Sequence, residues 1–361
     1  MASRSSPVRL RRRNRPRVAV LTDGAAEADF HQNHPDETGS LEAVCAALKV
    51  LGYEPVVVQF EGDPVAWLEE LIDGQFRLAF NLCEGLSGHA SQEHLPAAAV
   101  EMLGLPLTGA GSLTLSLCLR KDKTSAFLAQ NGVRVPAGTV VRADETPDWT
   151  RFPAIVKPVA EDGSCGIFPD CVVRNRAELR AALERGFQTW DRMLVQRYVD
   201  GREFNVAIVG DRVLPHSEIA FRGLPRGHPR VVTYAAKWHR GSPEDRGTVP
   251  VCPARIPAGL ERRLTEVARR AWELVEGTGY GRVDIRADRR GALYVIDVNP
   301  NPDLAPGAGL ARQAAAAGWS YVDLVGRIVE DALAREDRLA QQRRMHLEAR
   351  LPSKRRRVMD A

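Results

Sequence analysis

The chain has 361 residues, 44% of them hydrophobic, which is enough for a sizeable core and for two or three subdomains. No stretch approaches the ~20 apolar residues of a membrane helix. The charged N-terminal segment lacks the apolar run of a secretory signal, so neither a membrane protein nor a secreted one is expected. The six cysteines form no CxxC pair, which favours reduced thiols and a cytoplasmic protein.

The formal net charge of +4 is distributed unevenly along the chain. Residues 1–17 carry seven arginines and no acidic residue, and residues 334–361 carry nine Lys/Arg against four Asp/Glu. The intervening chain is therefore acidic. We interpret residues 1–16 as a disordered basic tail and residues 336–361 as a charged helical and basic tail. The alternative is that these tails contact nucleic acid or an acidic partner, with the body as a scaffold.

Strand and helix patterns alternate with short connections in the first part of the chain. The predicted strands are RVAVLTD (17–23), EPVVVQF (54–60) and FRLAFNLC (76–83). Helical spacing lies between them, in GSLEAVCAALKVLGY (39–53) and DPVAWLEELIDG (63–74). This order predicts a Rossmann-like α/β domain over residues 17–112, with a parallel sheet. Ligands of such sheets bind beyond the carboxyl ends of the strands, so the loops that hold Glu37 and Glu84 are candidate substrate sites.

The rest of the chain predicts smaller α+β units, over residues 113–197 and 198–335. The polar stretch 222–250, with Gly and Pro throughout, indicates a long mobile loop. A closing helix with a charged extension is expected from residue 320. The other predicted elements are helices at 119–132, 175–187 and 259–277, and strands within 152–159, 192–215 and 280–299.

The stretch YGRVDIRADRRGALYVIDVNPNPDLAPG (280–307) predicts a β-hairpin with one polar face. Asp284, Asp297 and Asn299 fall on the same face, because side chains alternate along a strand. Two carboxylates and an amide oxygen suit Mg²⁺, which takes its remaining ligands from phosphate and water. Arg282 shares the face and can stabilise anionic oxygen beside the metal. The alternative is a salt-bridged hairpin that faces water.

Three lysines are candidate phosphate ligands. Lys157 ends an apolar strand and is followed by the small-residue loop EDGSCG, whose backbone N–H groups can approach an anion. The spacing is not that of a Walker P-loop. Lys123 and Lys237 are the other two candidates, and each could equally be a surface lysine.

These stretches, taken together, resemble the ATP-grasp superfamily and, within it, the D-alanine–D-alanine ligases. The resemblance runs from about residue 17 to residue 334. It is carried in order by LGLPLTGAG, RKDKTSAFLAQNGVRVP, FPAIVKPVAEDGSCGI, LVQRYVDGREFNVAIV, YAAKW and GRVDIRADRRGALYVIDVNPNP. It implies an ATP-grasp fold with a Rossmann-like N-terminal domain, a small central α+β domain and a C-terminal α+β domain. It also implies a homodimer.

The resemblance further implies roles for individual residues. Lys123 and Lys157 bind the α- and β-phosphates of ATP, Ser164 lies in the loop that closes over the phosphates, and Lys237 contacts the γ-phosphate from a mobile lid. Asp284, Asp297 and Asn299 hold the metal, usually two Mg²⁺ ions with Mn²⁺ as a substitute, and Arg282 stabilises the anionic intermediate. The adenine and ribose contacts are Gln196, Arg197, Tyr198, Val199 and Glu203.

The departures from the family lie where the amino-acid substrates bind. The family's His-Gly after the third strand is replaced here by FNLCEGLSGH, and Asp303 stands where a glycine is usual. A carboxylate there repels an acceptor carboxylate and attracts a cation, unless Asp303 only caps an Asn-Pro-Asp turn.

We therefore predict an ATP-dependent carboxylate–amine ligase that works through an acylphosphate. Its small-molecule carboxylate and amine substrates are expected to be amino acids or a small peptide, with an acceptor other than D-alanine. The alternatives are a true D-alanine–D-alanine ligase and a non-catalytic ATP-binding or regulatory protein with basic tails. No membrane partner is expected, and nucleic acid only through the tails.

Overall fold

The computed structural model describes residues 15–24 and 38–350. Most of the two predicted basic tails, together with Glu37, lies outside these residues. Within them, no helix combines the length and the apolar character needed to cross a bilayer.

The N-terminal unit is a parallel three-stranded sheet of order β2-β1-β3, as predicted. Along β1, Val18 and Val20 pack into one hydrophobic cluster while Ala19 and Leu21 pack into another, so both faces of the sheet are buried. Its strands are β1 (Arg17–Thr22), β2 (Glu54–Gln59) and β3 (Leu78–Asn81). Its helices are α1 (Ser40–Val50), α2 (Pro64–Asp73) and α3 (His94–Met102), with a 3₁₀ turn at Ala90–Gln92.

The central unit is an antiparallel four-stranded sheet of order β4-β7-β5-β6. Two helices lead into it and meet at Arg120. The second agrees with the helix predicted from residue 119, whereas the first was not predicted. The strands are β4 (Gly138–Arg142), β5 (Ala154–Pro158), β6 (Val172–Val173) and β7 (Arg192–Arg197). The helices are α4 (Ser112–Leu119), α5 (Lys121–Gln130) and α6 (Arg176–Gly186).

The C-terminal unit is a six-stranded antiparallel sheet of order β11-β10-β8-β12-β13, with β9 paired to β8. Its strands are β8 (Gly201–Val209), β9 (Arg212–Val213), β10 (Ser217–Phe221), β11 (Thr248–Val251), β12 (Tyr280–Asp288) and β13 (Leu293–Asn299). Its helices are α7 (Tyr234–Trp238), α8 (Pro243–Gly247), α9 (Ala258–Leu274), α10 (Gly309–Ala316) and α11 (Tyr321–Arg350).

The prediction of one long loop over residues 222–250 was wrong. The segment contains α7, α8 and β11. Each helix is only five residues long and begins at a capping side chain, where the Thr233 hydroxyl accepts from the Ala236 N–H and the Ser242 hydroxyl from the Asp245 N–H. Helices this short carry no hydrophobic periodicity, which is why the polar composition suggested a loop.

Two structural links hold the N-terminal unit against the C-terminal hairpin. The buried Tyr280 hydroxyl, at the start of β12, donates to the Asn81 carbonyl at 3.4 Å and to Asn301 Oδ1 at 3.2 Å. Helix α11 returns to the first sheet, where Leu324 and Ile328 share a cluster with Val18 and Val20. The turn after β13 is therefore fixed relative to the end of β3.

The close packing of α9 on β12 gives a stability prediction. A Cβ at Gly281 would lie 2.2 Å from Trp272 Cη2, whereas a Cβ at Gly259, in the first turn of α9, would meet nothing within 4 Å. We expect Gly281→Ala to lower the free energy of unfolding by about 1–3 kcal/mol, because the indole must move. Gly259→Ala should leave it unchanged or raise it by up to ~1 kcal/mol. Urea unfolding of both variants checks this, and equal stabilities would contradict it.

Candidate active site

A cavity of about 460 Å³ lies between the central sheet and the C-terminal sheet. Strands β5 and β7 supply one wall, and β8, β12 and β13 supply the other. The loop after β5 and helix α7 lie across its opening. Nearly all of the predicted site residues line this space, with the exceptions described below.

One end of the cavity collects buried charges. Lys121 Nζ lies 2.9 Å from Asp162 Oδ1 and 3.6 Å from Asp297 Oδ1. Although burial opposes it, the two carboxylates raise the pKa of Lys121, so this lysine stays charged. Lys157 Nζ donates to the Ile296 carbonyl at 3.4 Å. Burial lowers the pKa of Lys157, and Asp297 offsets only part of that shift.

The prediction for Lys123 is corrected, because Lys121 occupies the cavity in its place. Lys123 is exposed and does not line the cavity. Helix α5 begins at Lys121, whose N–H donates to the Val159 carbonyl at 3.0 Å, just beyond β5. Two residues later a helix has turned by about 200°, so Lys123 points away from the cavity.

The hairpin β12–β13 brings the three predicted metal ligands to the same end. Asp284 pairs with Asp297 across the two strands, and Arg282 pairs with Asn299. Arg282 donates to both oxygens of Asp284, at 2.7 and 2.9 Å. Asn205 on β8 also donates to Asp284 Oδ1, at 2.7 Å. Although burial opposes it, Asp284 raises the pKa of Arg282.

This donor set fits a hard divalent cation. Two carboxylates and one amide oxygen face the cavity, and such oxygens are the ligands that Mg²⁺ prefers. Burial raises the pKa of Asp297, despite the neighbouring lysines, so this carboxylate lacks full charge compensation. The Asp284 oxygens accept from Arg282 but keep further lone pairs for a cation.

The opposite end of the cavity is apolar, with a polar edge formed by the connection from β7 to β8. Ile155, Ile296 and Val231 line it. Of the four predicted hinge residues, Gln196 is buried and donates to the Pro136 carbonyl at 3.2 Å. The N–H groups of Arg197 and Tyr198 donate to the carbonyls of residues 137 and 153. In the described part of the chain, the Val199 N–H has no acceptor.

Glu203 lies beside this hinge in a buried ion pair that the sequence did not indicate. Arg286 donates to Glu203 Oε2 from Nε at 2.9 Å and from Nη2 at 2.6 Å. The same guanidinium donates to the carbonyls of Val199 and Arg230. Arg286 therefore fixes both Glu203 and the hinge, and it leaves Glu203 Oε1 without a hydrogen bond among the described residues.

The loop after β5 and helix α7 contact each other over the charged end. Gly163 and Ser164 both have positive φ, at 64° and 63°, which turns the chain back over the cavity. The Trp238 indole donates from Nε1 to the Gly163 carbonyl at 2.8 Å. Lys237 Nζ lies 4.7 Å from the centre of the Trp238 ring. Ser164 and Lys237 thus both reach the cavity from its lid.

Two of the predicted substrate residues lie at the N-terminal side of the cavity. Asp303 Oδ1 accepts from the Ser40 hydroxyl at 2.9 Å and from the Ala305 N–H at 2.8 Å. Asp303 is therefore a turn cap, as the alternative interpretation held, and it also lines the cavity. Glu84 lines a smaller adjoining cavity, and burial raises its pKa to about 7.

Sequence reasoning missed Lys121, Asn205, Arg286 and Trp238. Lys121 stands in the same basic run as Lys123, and only the start of the helix separates them. Asn205 and Glu203 lie two residues apart on one strand, which is a usable sign that they share a face. For Arg286 and Trp238 the sequence carries no comparable sign, because their partners are distant in the chain.

Residues 134–330 match the family model described as D-ala D-ala ligase C-terminus, which spans more than half of the chain. The chain belongs to the D-alanine–D-alanine ligase family. It is 30% identical over 294 residues to the D-alanine–D-alanine ligase of Chromohalobacter salexigens, covering 80% of this chain and 87% of that one. It is 31% identical to the uncharacterized protein y4sG of Sinorhizobium fredii, covering 81% of this chain and 86% of that one.

The fold matches solved members of the same family. The D-alanine–D-alanine ligase of Bacillus anthracis, solved in complex with ATP, superposes with a TM-score of 0.69 at 21% identity, over 90% of this chain and 99% of that one. The enzyme from Coxiella burnetii gives a TM-score of 0.68 at 16% identity, over 94% of this chain and all of that one. The predicted ATP-grasp fold is thereby confirmed, as is the prediction of a ligase that forms carbon–nitrogen bonds.

The difference between the two lysines on α5 gives a direct test of the site. We expect Lys121→Ala to weaken ATP binding by roughly 10- to 100-fold, since it removes a charged contact from the buried end of the cavity. Lys123→Ala should change the dissociation constant by less than about twofold, because it removes an exposed lysine from the same helix. Calorimetric titration with a non-hydrolysable ATP analogue measures both. The assignment is wrong if Lys123→Ala has the larger effect.

Proposed function

We propose that this protein is an ATP-dependent carboxylate–amine ligase that works through an acylphosphate. The observation that carries the proposal is that one cavity has a charged end and an apolar end. Two lysines, an arginine and three oxygen ligands gather at one end, and an apolar slot with a polar hinge lies at the other. A nucleoside triphosphate requires such a lining, because the base and the phosphates of the ligand lie at opposite ends.

The hinge and its neighbours orient the nucleotide. Adenine lies between Ile155 and Ile296, and the Val199 N–H, which has no acceptor among the described residues, donates to the ring. Glu203 Oε1 accepts from the ribose hydroxyls, while Arg286 holds the carboxylate in place through its two hydrogen bonds to Oε2. The phosphates then reach Lys121 and Lys157.

The oxygen ligands suit one or two Mg²⁺ ions, with Mn²⁺ as a substitute. Asp284, Asp297 and Asn299 hold the metal, which neutralises phosphate charge when bound. Asp284 also anchors Arg282, so that guanidinium is fixed before substrate arrives and costs little reorganisation during the reaction.

The chemistry follows from this arrangement in two steps. An oxygen of the substrate carboxylate attacks the γ-phosphorus of ATP, the bond to the β-phosphate oxygen breaks, and ADP and an acylphosphate result. The amine of the second substrate then attacks the acyl carbon, loses a proton, and phosphate leaves as the amide forms. Arg282 stabilises the oxyanion in the second step, since its guanidinium faces the cavity beside the phosphate end.

Helix α7 and the loop after β5 form a lid over the reacting groups. Lys237 contacts the γ-phosphate from this lid, and Ser164 donates to it from the loop. The bond from Trp238 to the Gly163 carbonyl ties the two segments together. Closure protects the acylphosphate from water.

Two interpretations of the site differ in the amino-acid substrates that they predict. Several relatives, including that of Chromohalobacter salexigens, are named D-alanine–D-alanine ligases, which favours D-alanine as the substrate. Two carboxylates on the substrate side, Glu84 and Asp303, favour an acceptor other than D-alanine. We prefer the second interpretation, an acceptor other than D-alanine.

The homodimer stays a prediction from the family resemblance.

Phosphate release from ATP tests the ligase directly. Amino acids and small carboxylates are supplied singly and in pairs with ATP and Mg²⁺. We expect release to require a particular pair, and Arg282→Ala to lower it by at least 100-fold. The control is Arg289→Ala, an exposed arginine in the turn of the same hairpin, whose surface pair with Asp200 contributes little. Release without any pair, or equal release by both variants, would contradict the proposal.

The lid has its own test in the coupling of ATP use to product formation. Trp238→Phe keeps an aromatic ring and removes the N–H that donates to the Gly163 carbonyl. We expect more phosphate per amide formed, because a looser lid admits water to the acylphosphate. The measurement is the ratio of phosphate to amide with the productive pair. An unchanged ratio would show that this bond does not hold the lid closed.

A further inference from the structure

A second, smaller cavity of about 40 Å³ adjoins the nucleotide cavity on the side of the N-terminal unit. Thr22 and Ser40 line it from the first sheet and α1, Glu84 from the loop after β3, and Asp303 from the turn after β13. Asp303 and Trp238 line both cavities, so the small cavity opens beside the reacting groups. Its volume suits a small polar head group rather than a whole second amino acid.

We propose that this cavity binds the positively charged side-chain group of an amino-acid substrate, an ammonium or a guanidinium, rather than the α-ammonium that every amino acid carries. The enzyme then prefers an amino acid with a cationic side chain over D-alanine. This inference rests on the proposed ligase function and names the substrate class of that same site.

The charge of the lining supports a cation. Glu84 and Asp303 are its ionisable residues apart from the Tyr280 phenol, and among the described residues no lysine, arginine or histidine lines it. Asp303 Oδ1 accepts from Ser40 and Ala305, while its Oδ2 has no hydrogen bond in the described part of the chain. A substrate carboxylate placed here would meet two like charges.

Glu84 is an exposed residue of the loop after β3, and its carboxylate borders this cavity. Residues 15–24 and 38–350 provide that carboxylate with neither a hydrogen bond nor an ion pair. Burial raises its pKa to about 7, Lys237 opposes the shift, and Asp303 and Asp23 add to it. The residue is still open to solvent through the cavity, so a ligand can reach it. A cation beside it would restore the charge stabilisation that burial removes.

The Trp238 indole is an independent feature that points to the same ligand. Its ring forms part of the wall between the two cavities and is held by the bond to the Gly163 carbonyl. Aromatic rings attract cations over their faces, and Lys237 already lies against this ring at 4.7 Å. An indole next to two carboxylates is a lining that recognises ammonium groups.

The test compares amino acids that differ in side-chain charge but not in length. Full-length protein with ATP and Mg²⁺ is assayed for kcat/KM with both enantiomers of lysine and ornithine, against norleucine and D-alanine, each paired with a pool of amino acids. We expect a cationic amino acid to be preferred over norleucine by at least tenfold. The proposal is overturned if norleucine or D-alanine is used as well as the cationic amino acids.

Three variants assign that preference to the cavity. Glu84→Gln and Asp303→Asn keep the shape of each side chain and remove its charge, and each should lower the preference by about tenfold or more. Glu69→Gln makes the same change of net charge on the exposed face of α2 and should leave the preference intact. Thermal unfolding confirms that each variant is folded. A preference that survives both cavity variants would overturn the assignment.

Equilibrium dialysis separates this inference from the ligase proposal, because it needs no turnover. Labelled lysine should bind at least tenfold more tightly to the unaltered protein than to Glu84→Gln, and labelled norleucine should bind to both equally. If no pair releases phosphate but lysine binds in this way, the ligase proposal fails and the cation site stands. If phosphate is released only with pairs of neutral amino acids, and if lysine binds equally to the unaltered protein and to Glu84→Gln, the ligase proposal stands and the cation site is overturned.

Discussion

The register of one hairpin sets the whole active site. Pairing of β12 with β13 places Asp284 opposite Asp297 and Arg282 opposite Asn299, on the half-buried wall of the cavity. Charges in such a place persist only when each has a partner. Arg282 compensates Asp284, and Lys121 reaches from α5 to compensate Asp297 and Asp162. The hairpin therefore depends on the break at residue 120 that starts α5 where it does.

The same compensation prepares the site for its ligands. Lys157 is buried and its pKa is lowered, so an anion in the cavity would favour its charged form. Asp297 is half-buried and its pKa is raised, so a cation would favour its charged form. Phosphate and metal together relieve both. The charges that lack full compensation thus lie at the phosphate and metal end, whereas Arg286 at the far end is paired with Glu203 Oε2 and holds the Val199 carbonyl of the hinge.

The parts of the site that lie on regular strands could be predicted from the sequence. Alternation with a period of two was enough to place Asp284, Asp297 and Asn299 on one face, and the parallel N-terminal sheet followed from alternating strands and helices. Lys121 could not be separated from Lys123, because the phase of a helix depends on where it begins. Asn205 required the pairing of β8 with β12, which sequence spacing does not contain. The five-residue helices of the lid were too short to show periodicity.

The nucleotide side and the amino-acid side of the site differ in the elements that carry their residues. The nucleotide residues stand on strands and at the start of a helix, where the backbone ladder fixes their direction. Glu84 and Asp303 stand on a loop and a turn, which accept substitution with little effect on the fold. Family membership therefore constrains the chemistry much more tightly than it constrains the substrate. Asp303 is bound into its turn by Ala305 and to the N-terminal unit by Ser40, so its charge stays at the boundary of the two cavities. In the cation site proposed above, a carboxylate held there by the fold would select the substrate by charge as well as by shape.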